Sequence, residues 1–456
     1  MSIFNKILSE KYTSISGLTD ELKAIYIYNQ YKNNSIIVVT NTIYEANILV
    51  QRLRNYTENV LFFPMDDFLT SESIAISPEF KTTRLETIYS LINNSNKIVV
   101  TNLMGYLRYL PKKELYKSKI LKLKINNDYN MNDLINKLYM LGYTKETLTS
   151  VTGTYSVRGY VIDIFPIKEE HPIRLEFFGD TIDEIKYFDE NTQMTISKID
   201  EINILPNTEF ISEQNVDIKK QNELPNYTEV VNINEYLNNP LIIYHNYSEL
   251  EKNYELLQEE IEDYNRTNNF DLSKKYMNNL EDIKEINTCY LLNFDNSVNN
   301  TQNFKSYNID EFPTKKEEIE KLLNSYIKSK KTVVICVSDQ YKINKILDYL
   351  ELDFVLTNES EIFENKINII EKNMLNGFIF ENYVFISETE IFHKKNIVTK
   401  YHSNFKYGVK IRDINKLNIG DYIVHNLYGI GRYVGLKTLV KNGFKKDYLT
   451  VEYQDN

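Results

Sequence analysis

At 456 residues the chain is too long for one hydrophobic core and implies three or four domains. Apolar residues at 42% and charged residues at 26% are ordinary for a soluble globular protein, and no apolar run nears the ~18–20 residues of a membrane span. A net charge of −11 excludes the whole chain as a nucleic-acid sleeve, and the two cysteines and five histidines show no metal-ligand spacing. The opening MSIFNKILSEKY lacks the basic start and apolar block of a signal peptide, so a cytoplasmic location is expected.

Residues 1–124 alternate strand and helix. Ser35–Thr40 is a buried-strand run, and Tyr44–Arg54 follows at helical spacing with Ala46, Leu49, Val50 and Leu53 on one side. Val60–Phe63 is a second strand, Pro78–Ile92 a helix with proline near its start, and Lys97–Thr101 a third strand. The pattern predicts an α/β domain with a parallel sheet. A phosphate loop of the G-x-x-x-x-G-K-[ST] type is absent, since no glycine precedes a lysine; its nearest vestige is Ser16-Gly17-Leu18-Thr19. Each Asp-Glu pair (20, 183, 189, 200, 310) continues wrongly for a D-E-x-[QH] box. ATP hydrolysis by this chain is not expected.

Met131–Tyr143 is a short helix ending at Gly142, and it leads into three predicted strands: Arg158–Phe165, Ile173–Phe178 and Ile182–Phe188, the last two joined by a Gly179-Asp180 turn. Residues two apart share a face, so Arg174, Glu176 and Phe178 lie opposite the core residues Leu175 and Phe177. By periodicity, Arg174 and Glu176 read as a solvated pair and Phe178 as tucked under a loop; an arginine beside an exposed phenylalanine is also how protein interfaces are anchored. Arg158-Gly159, Asp163-Ile164-Phe165-Pro166, Pro172, Arg174-Leu175, Phe177-Phe178, Asp180, Ile182-Asp183, Ile185, Phe188-Asp189, Gln193 and Leu205-Pro206 resemble a domain shared by UvrB and the bacterial transcription-repair coupling factors. That domain binds the damage-recognition ATPase UvrA. The chain departs from the pattern at Tyr160, where the family has a second glycine. The resemblance implies that Arg158, Arg174 and Phe178 bind UvrA, the arginines offering forked donors to partner carboxylates and the phenylalanine a desolvated anchor. Phe63-Pro64, Ser77-Pro78-Glu79 and Arg84 likewise resemble the degenerate motor-like first domain of the coupling factors.

After Pro206 the chain returns to α/β. Pro240–Tyr244 is a strand and Tyr247–Asn268 an acidic, exposed helix. Where a motor would hold metal-binding acids, this chain has Tyr244, His245 and Asn246, and His245 reads as a surface residue. From Phe270 to Thr314 the chain is polar and Asn-rich, interrupted by Cys289–Phe294; it is read as the fraying end of a domain plus a linker. A further small α/β unit runs through Lys316–Lys328 (helix), Thr332–Val337 (strand), Gln340–Leu350 (helix), then strands Phe354–Leu356, Ile367–Glu371 and Tyr383–Ser387. Glu388 and Glu390 read as a solvated strand end rather than a catalytic pair.

Lys395–Lys410 is a basic linker, and Leu417 opens the last module. From Tyr401 onward nine lysines and arginines face five acids, a balance of +4 that leaves −15 for the preceding 400 residues. Six of the thirteen glycines lie between 408 and 443, where they permit tight bends, and Asn442-Gly443 is a hairpin turn between Leu436–Val440 and Tyr448–Tyr453. A small, strongly bent β-barrel is predicted. Gly420-Asp421, Val424-His425, Gly429, Gly431-Arg432-Tyr433, Gly435, Leu439 and Asp447-Tyr448-Leu449 resemble the polymerase-interacting module of coupling factors and CarD-type regulators. The resemblance implies strand addition to the RNA polymerase β subunit, with Leu439, Arg432 and Lys437 in contact.

Both modules in this order resemble the coupling factors alone. The expected organisation is a degenerate motor-like α/β domain (1–124, resuming at 213–314), an inserted UvrA-binding α+β domain (125–212), a second small α/β domain (315–398) and an incomplete polymerase-binding barrel (399–456). The expected role is a monomeric adaptor without catalytic residues, bound metal or cofactor. ATP, magnesium and most DNA contact belong to the family's motor domains, which this chain lacks. The chain stops inside a predicted sheet and is expected to be the front of a longer protein or a broken gene. In the family a distant C-terminal domain covers the UvrA face; without it, constitutive UvrA binding is expected. The alternatives are a UvrB-type ATP-dependent helicase subunit and a CarD-like regulator of initiation.

Overall fold

The computed structural model describes residues 2–453 other than 33, 66–77, 215, 219, 272–274, 284–286, 294–299, 310–311, 394–418, 426–428 and 442–443. Ser77, the Lys395–Lys410 linker, Leu417 and the Asn442-Gly443 turn lie outside the described residues. The chain forms two compact units, Met1–Lys406 and Tyr407–Asn456. Within them are mixed α/β layers with one large parallel sheet and several smaller ones.

The large sheet has seven strands in the order Gln302–Asn303, Ser14–Ser16, Thr288–Leu292, Leu241–His245, Ile36–Thr40, Ile98–Asn102, Val60–Phe63, each neighbouring pair parallel. Its apolar runs are continuous because both faces are covered. Ile36 and Val38 enter the core on one side, and Ile37 and Val39 the core on the other. The helix Ile43–Arg54 starts where Thr42 accepts a hydrogen bond from Glu45 N, and it buries Ala46, Leu49, Val50 and Leu53. Thr288–Leu292 corrects the reading of 270–314 as a frayed end: it is an interior strand between Ser14–Ser16 and Leu241–His245. Its Asn-rich surroundings hide it, because only five residues are strand and Cys289 and Leu291 supply the buried side.

The inserted sheet has six strands, ordered Thr195–Ile199, Thr181–Phe188, Ile173–Phe178, Val161–Ile164, Thr154–Arg158, Thr144–Lys145. The predicted single strand Arg158–Phe165 is in fact two, folded back at Gly159-Tyr160 with Arg158 opposite Val161. The helix Met131–Met140 closes one face with Leu134 and Leu138 on Ile162, Leu175 and Phe177. The exit from this insertion is bolted to the large domain. Glu209 accepts hydrogen bonds from Arg84 Nε at 2.8 Å and Arg108 Nη2 at 2.7 Å, all three buried.

A third sheet runs Ser306–Asn308, Phe378–Phe380, Tyr383–Ser387, Thr332–Val337, Ile367–Glu371, Phe354–Thr357. It shares a continuous core with the large sheet, in which Val334, Cys336, Phe378 and Phe385 join Ile3, Phe4 and Ile25. The Phe4 and Phe385 ring centroids are 5.5 Å apart.

The terminal unit is an antiparallel sheet of Tyr422–His425, Gly429–Lys441 and Phe444–Glu452. Among the described residues it is an open sheet of three strands, too few to close a barrel. Its bend comes from a bulge between Tyr433 and Gly435, where Gly435 takes φ +128°.

Candidate docking faces and a filled nucleotide corner

On the inserted sheet the two-residue alternation delivers Leu175 and Phe177 to the core and Arg174, Glu176 and Phe178 to the outside. Asp163 lies beside Arg174 on the next strand and is buried. It accepts from Arg174 Nε at 2.7 Å and Nη2 at 2.9 Å, and from Arg158 Nη2 at 2.5 Å. Gln193 Oε1 takes a further Arg174 Nη2 hydrogen at 3.0 Å, and the guanidinium carbon sits 4.4 Å from the Phe188 ring centroid. The hydrogen bond to Asp163 raises the Arg174 pKa, so its charge is locked. The fork of Arg174 therefore points into its own domain. Among the described residues, Nη1 of Arg174 and Nε and Nη1 of the half-exposed Arg158 remain uncommitted. Beside them runs a cross-strand ladder in which Lys186 joins Glu176 at 2.7 Å and Glu184 at 2.9 Å, and Lys198 joins Glu184.

Phe178 is 84% exposed and Tyr160 69% exposed. Phe178 is thus not tucked under a loop, and Arg174 is not a loose surface charge. Asp163 and Gln193 belong to the sequence motif, and their work is to hold the two arginines. Their signal was there: a carboxylate and an amide fixed in spacing to two arginines.

In the terminal unit Arg432 and Lys437 are exposed, opposite Glu452 and Tyr448 in register. The register puts Leu439 opposite Lys446; the side chain of Leu439 lies outside the described residues. Ile430, Arg432 and Val434 are exposed while Tyr433 between them is buried.

The third place of interest is where a phosphate loop would lie. Ser14–Ser16, then Gly17, Leu18 and Thr19, lead into the helix Asp20–Tyr31, a strand–turn–helix layout that in nucleotide enzymes presents backbone amides to phosphate. Here the chain itself occupies it. Ser306 Oγ accepts from Thr19 N at 2.8 Å and donates to Gly17 O at 2.7 Å, and Phe304 N donates to Ser16 O at 3.0 Å. A Cβ on Gly17 would stand 2.0 Å from Phe304 O. The first helical turn carries Asp20 and Glu21, which oppose an anion. Burial raises the Glu21 pKa, opposed by Arg52, whose Nη1 donates to it at 2.6 Å.

Lys23 of the same helix is buried, which lowers its pKa, and it points at Asn293 Oδ1 (2.9 Å) and His245 Nε2 (3.4 Å). His245 is half-buried, not a surface residue: burial and the Lys23 ammonium hold it at about 4, so it is neutral near pH 7. Glu388 and Glu390 are not solvated either. Lys342 Nζ lies 2.9 Å from Glu388, and buried Glu390 accepts from Ser387 N (2.8 Å) and Gly377 N (2.9 Å), a helix cap. Among the described residues no group of three or more His, Cys, Asp or Glu could hold a metal ion, and no helix is long and apolar enough to cross a membrane.

Two family models match this chain: the UvrB interaction domain over residues 121–210 and the CarD-like/TRCF RID domain over residues 417–456. Curated relatives are transcription-repair-coupling factors. That of Bacillus subtilis (strain 168) is 25% identical, covering 96% of this chain and 43% of the relative. That of Staphylococcus haemolyticus is 23% identical over 96% of this chain and 43% of the relative. That of Staphylococcus epidermidis is 24% identical over 99% and 44%. The chain is thus similar along nearly its whole length to transcription-repair-coupling factors, and spans less than half the length of the relatives it matches.

Proposed function

We propose that this chain couples transcription to nucleotide excision repair as a tether between RNA polymerase and UvrA. The observation that carries the reading is the presence of both matched modules, in order, on one chain that aligns almost end to end with coupling factors. The UvrA face is the outer side of the inserted sheet, where Phe178 inserts into the partner and Arg158 and Arg174, gathered by Asp163, supply fixed positive charge. With the fork of Arg174 engaged, its contribution to the partner is Nη1 and the field of a locked guanidinium. The terminal sheet docks on the polymerase β subunit by strand addition, with Arg432, Lys437 and Leu439 setting specificity. The protein acts as a monomer, and ATP-driven translocation belongs to motor domains outside this chain.

The test is a pair of pull-downs with the full chain. Wild type should retain both UvrA and the polymerase β subunit. Arg174→Ala with Phe178→Ala should lose UvrA and keep polymerase, since truncating one anchor of this kind typically costs about 2 kcal/mol or more. Unchanged UvrA retention would show the face to be wrongly assigned.

A further inference from the structure

We propose that Tyr160 is a second aromatic anchor at the sheet end that borders the docking face, so that the partner surface is an apolar recess for two rings with acceptor oxygens at its rim. This rests on the UvrA reading above. Two hairpins end side by side: Gly159-Tyr160 joins Arg158 to Val161, and Gly179-Asp180 joins Phe178 to Thr181. Phe177 N donates to Tyr160 O at 2.9 Å, which ties one tip to the strand end carrying Phe178. In both turns the glycine at the first loop position takes the left-handed conformation, φ +59° at Gly159 and +63° at Gly179. The second position is then open to any side chain. One hairpin fills it with an aspartate, as turns commonly do. The other carries a tyrosine that the turn does not require.

Tyr160 and Phe178 are 69% and 84% exposed, and neither side chain has a hydrogen bond or ring contact among the described residues. Two unpartnered rings at one end of a sheet, near the half-exposed Arg158 that enters the Gly159-Tyr160 turn, form the Tyr, Phe and Arg composition that marks the centre of protein interfaces. The patch continues the proposed docking face, which commits its occupant to the same partner. Burial of the ring body carries the contact, with the hydroxyl left to reach an acceptor at the edge.

The experiment measures the affinity of the full chain for the organism's own UvrA by biolayer interferometry, for wild type, Tyr160→Gly and Phe178→Ala, with melting temperatures alongside. Because the Tyr160 side chain makes no hydrogen bond or ring contact among the described residues, and its backbone oxygen still accepts from Phe177 N in the variant, Tyr160→Gly should melt with wild type and bind at least tenfold more weakly. Binding within twofold of wild type, while Phe178→Ala loses tenfold, overturns this inference and leaves the UvrA reading standing. If neither variant weakens binding, the UvrA face itself is misassigned and the inference falls with it.

Discussion

Glu209 shows most clearly what a single residue does here. Burial alone would push its carboxyl up; the guanidiniums of Arg108 and Arg84 outweigh burial and hold it at about 2. The folded pKa lies below the ordinary glutamate value of ~4.3, so this carboxylate contributes stability above pH ~4.3 that is lost as pH falls toward 2. A depression of roughly two units is worth about 3 kcal/mol. Glu209→Gln leaves two buried guanidiniums facing a neutral amide, a change that typically costs ~3–5 kcal/mol. Urea titrations at pH 7 should show that loss, and the gap between variant and wild type should narrow as pH drops from about 4.3 toward 2. A constant gap across that window would mean that Glu209 acts by shape, not charge. Arg84 was visible in the sequence through its resemblance to a motor-like domain, but its partner was not: Glu209 lies 125 residues away and nothing local announces it. Arg174 and Phe178 were placed on the outer face by alternation alone. The inward turn of the Arg174 fork was not given by alternation, which assigns Asp163 to the same outer face as Arg174 but does not say that Asp163 is buried there beneath the two arginines.

Elements were read well where a run was long and bounded, as in Ile43–Arg54, Lys316–Lys328 and Thr332–Val337. They were misread where two strands abut with only two turn residues between them, as at Gly159-Tyr160, and missed where a strand is three residues long, as at Ser14–Ser16. The turn after Ser14–Ser16 permits a test of the filled nucleotide corner. Gly17 and Gly179 both take left-handed φ, +76° and +63°, but only Gly17 is pressed against another backbone, Phe304. An alanine in that conformation costs roughly 1–2 kcal/mol by itself. Gly179→Ala should therefore lose about that much in chemical denaturation, since a Cβ there meets nothing. Gly17→Ala should lose clearly more, because Phe304 must move and the Ser306 bridge to Gly17 and Thr19 with it. Equal losses would show that the 302–306 segment does not press on the loop.

Within the first unit, two α/β sheets that read as separate domains share one core across Phe4, Phe385, and Val334 and Cys336 of the Thr332–Val337 strand. The short helix Ile3–Lys6 makes this junction, and Ile3 N donates to Glu359 O at 2.7 Å. A four-residue helix carries too little periodicity to be found from sequence, so the continuity of the body was legible only in three dimensions. That continuity bears on ATP. Nucleotide motors bind between lobes and move them; here Ser306 closes the loop at the start of the large sheet, and Glu21 on the following helix is fixed to Arg52 and Tyr56 (2.8 Å). A phosphate would have to displace a serine bridge, part a shared core and sit against two carboxylates. A ligand at one hundred times its Kd stabilises a protein by about 2.7 kcal/mol, which a thermal melt reads as several degrees. Millimolar ATP with magnesium should leave the melting temperature of this chain where it was, and a coupled assay should detect no turnover. A melt raised by several degrees, or turnover that Lys23→Ala abolishes, would mean that the corner opens and that the chain is a motor after all.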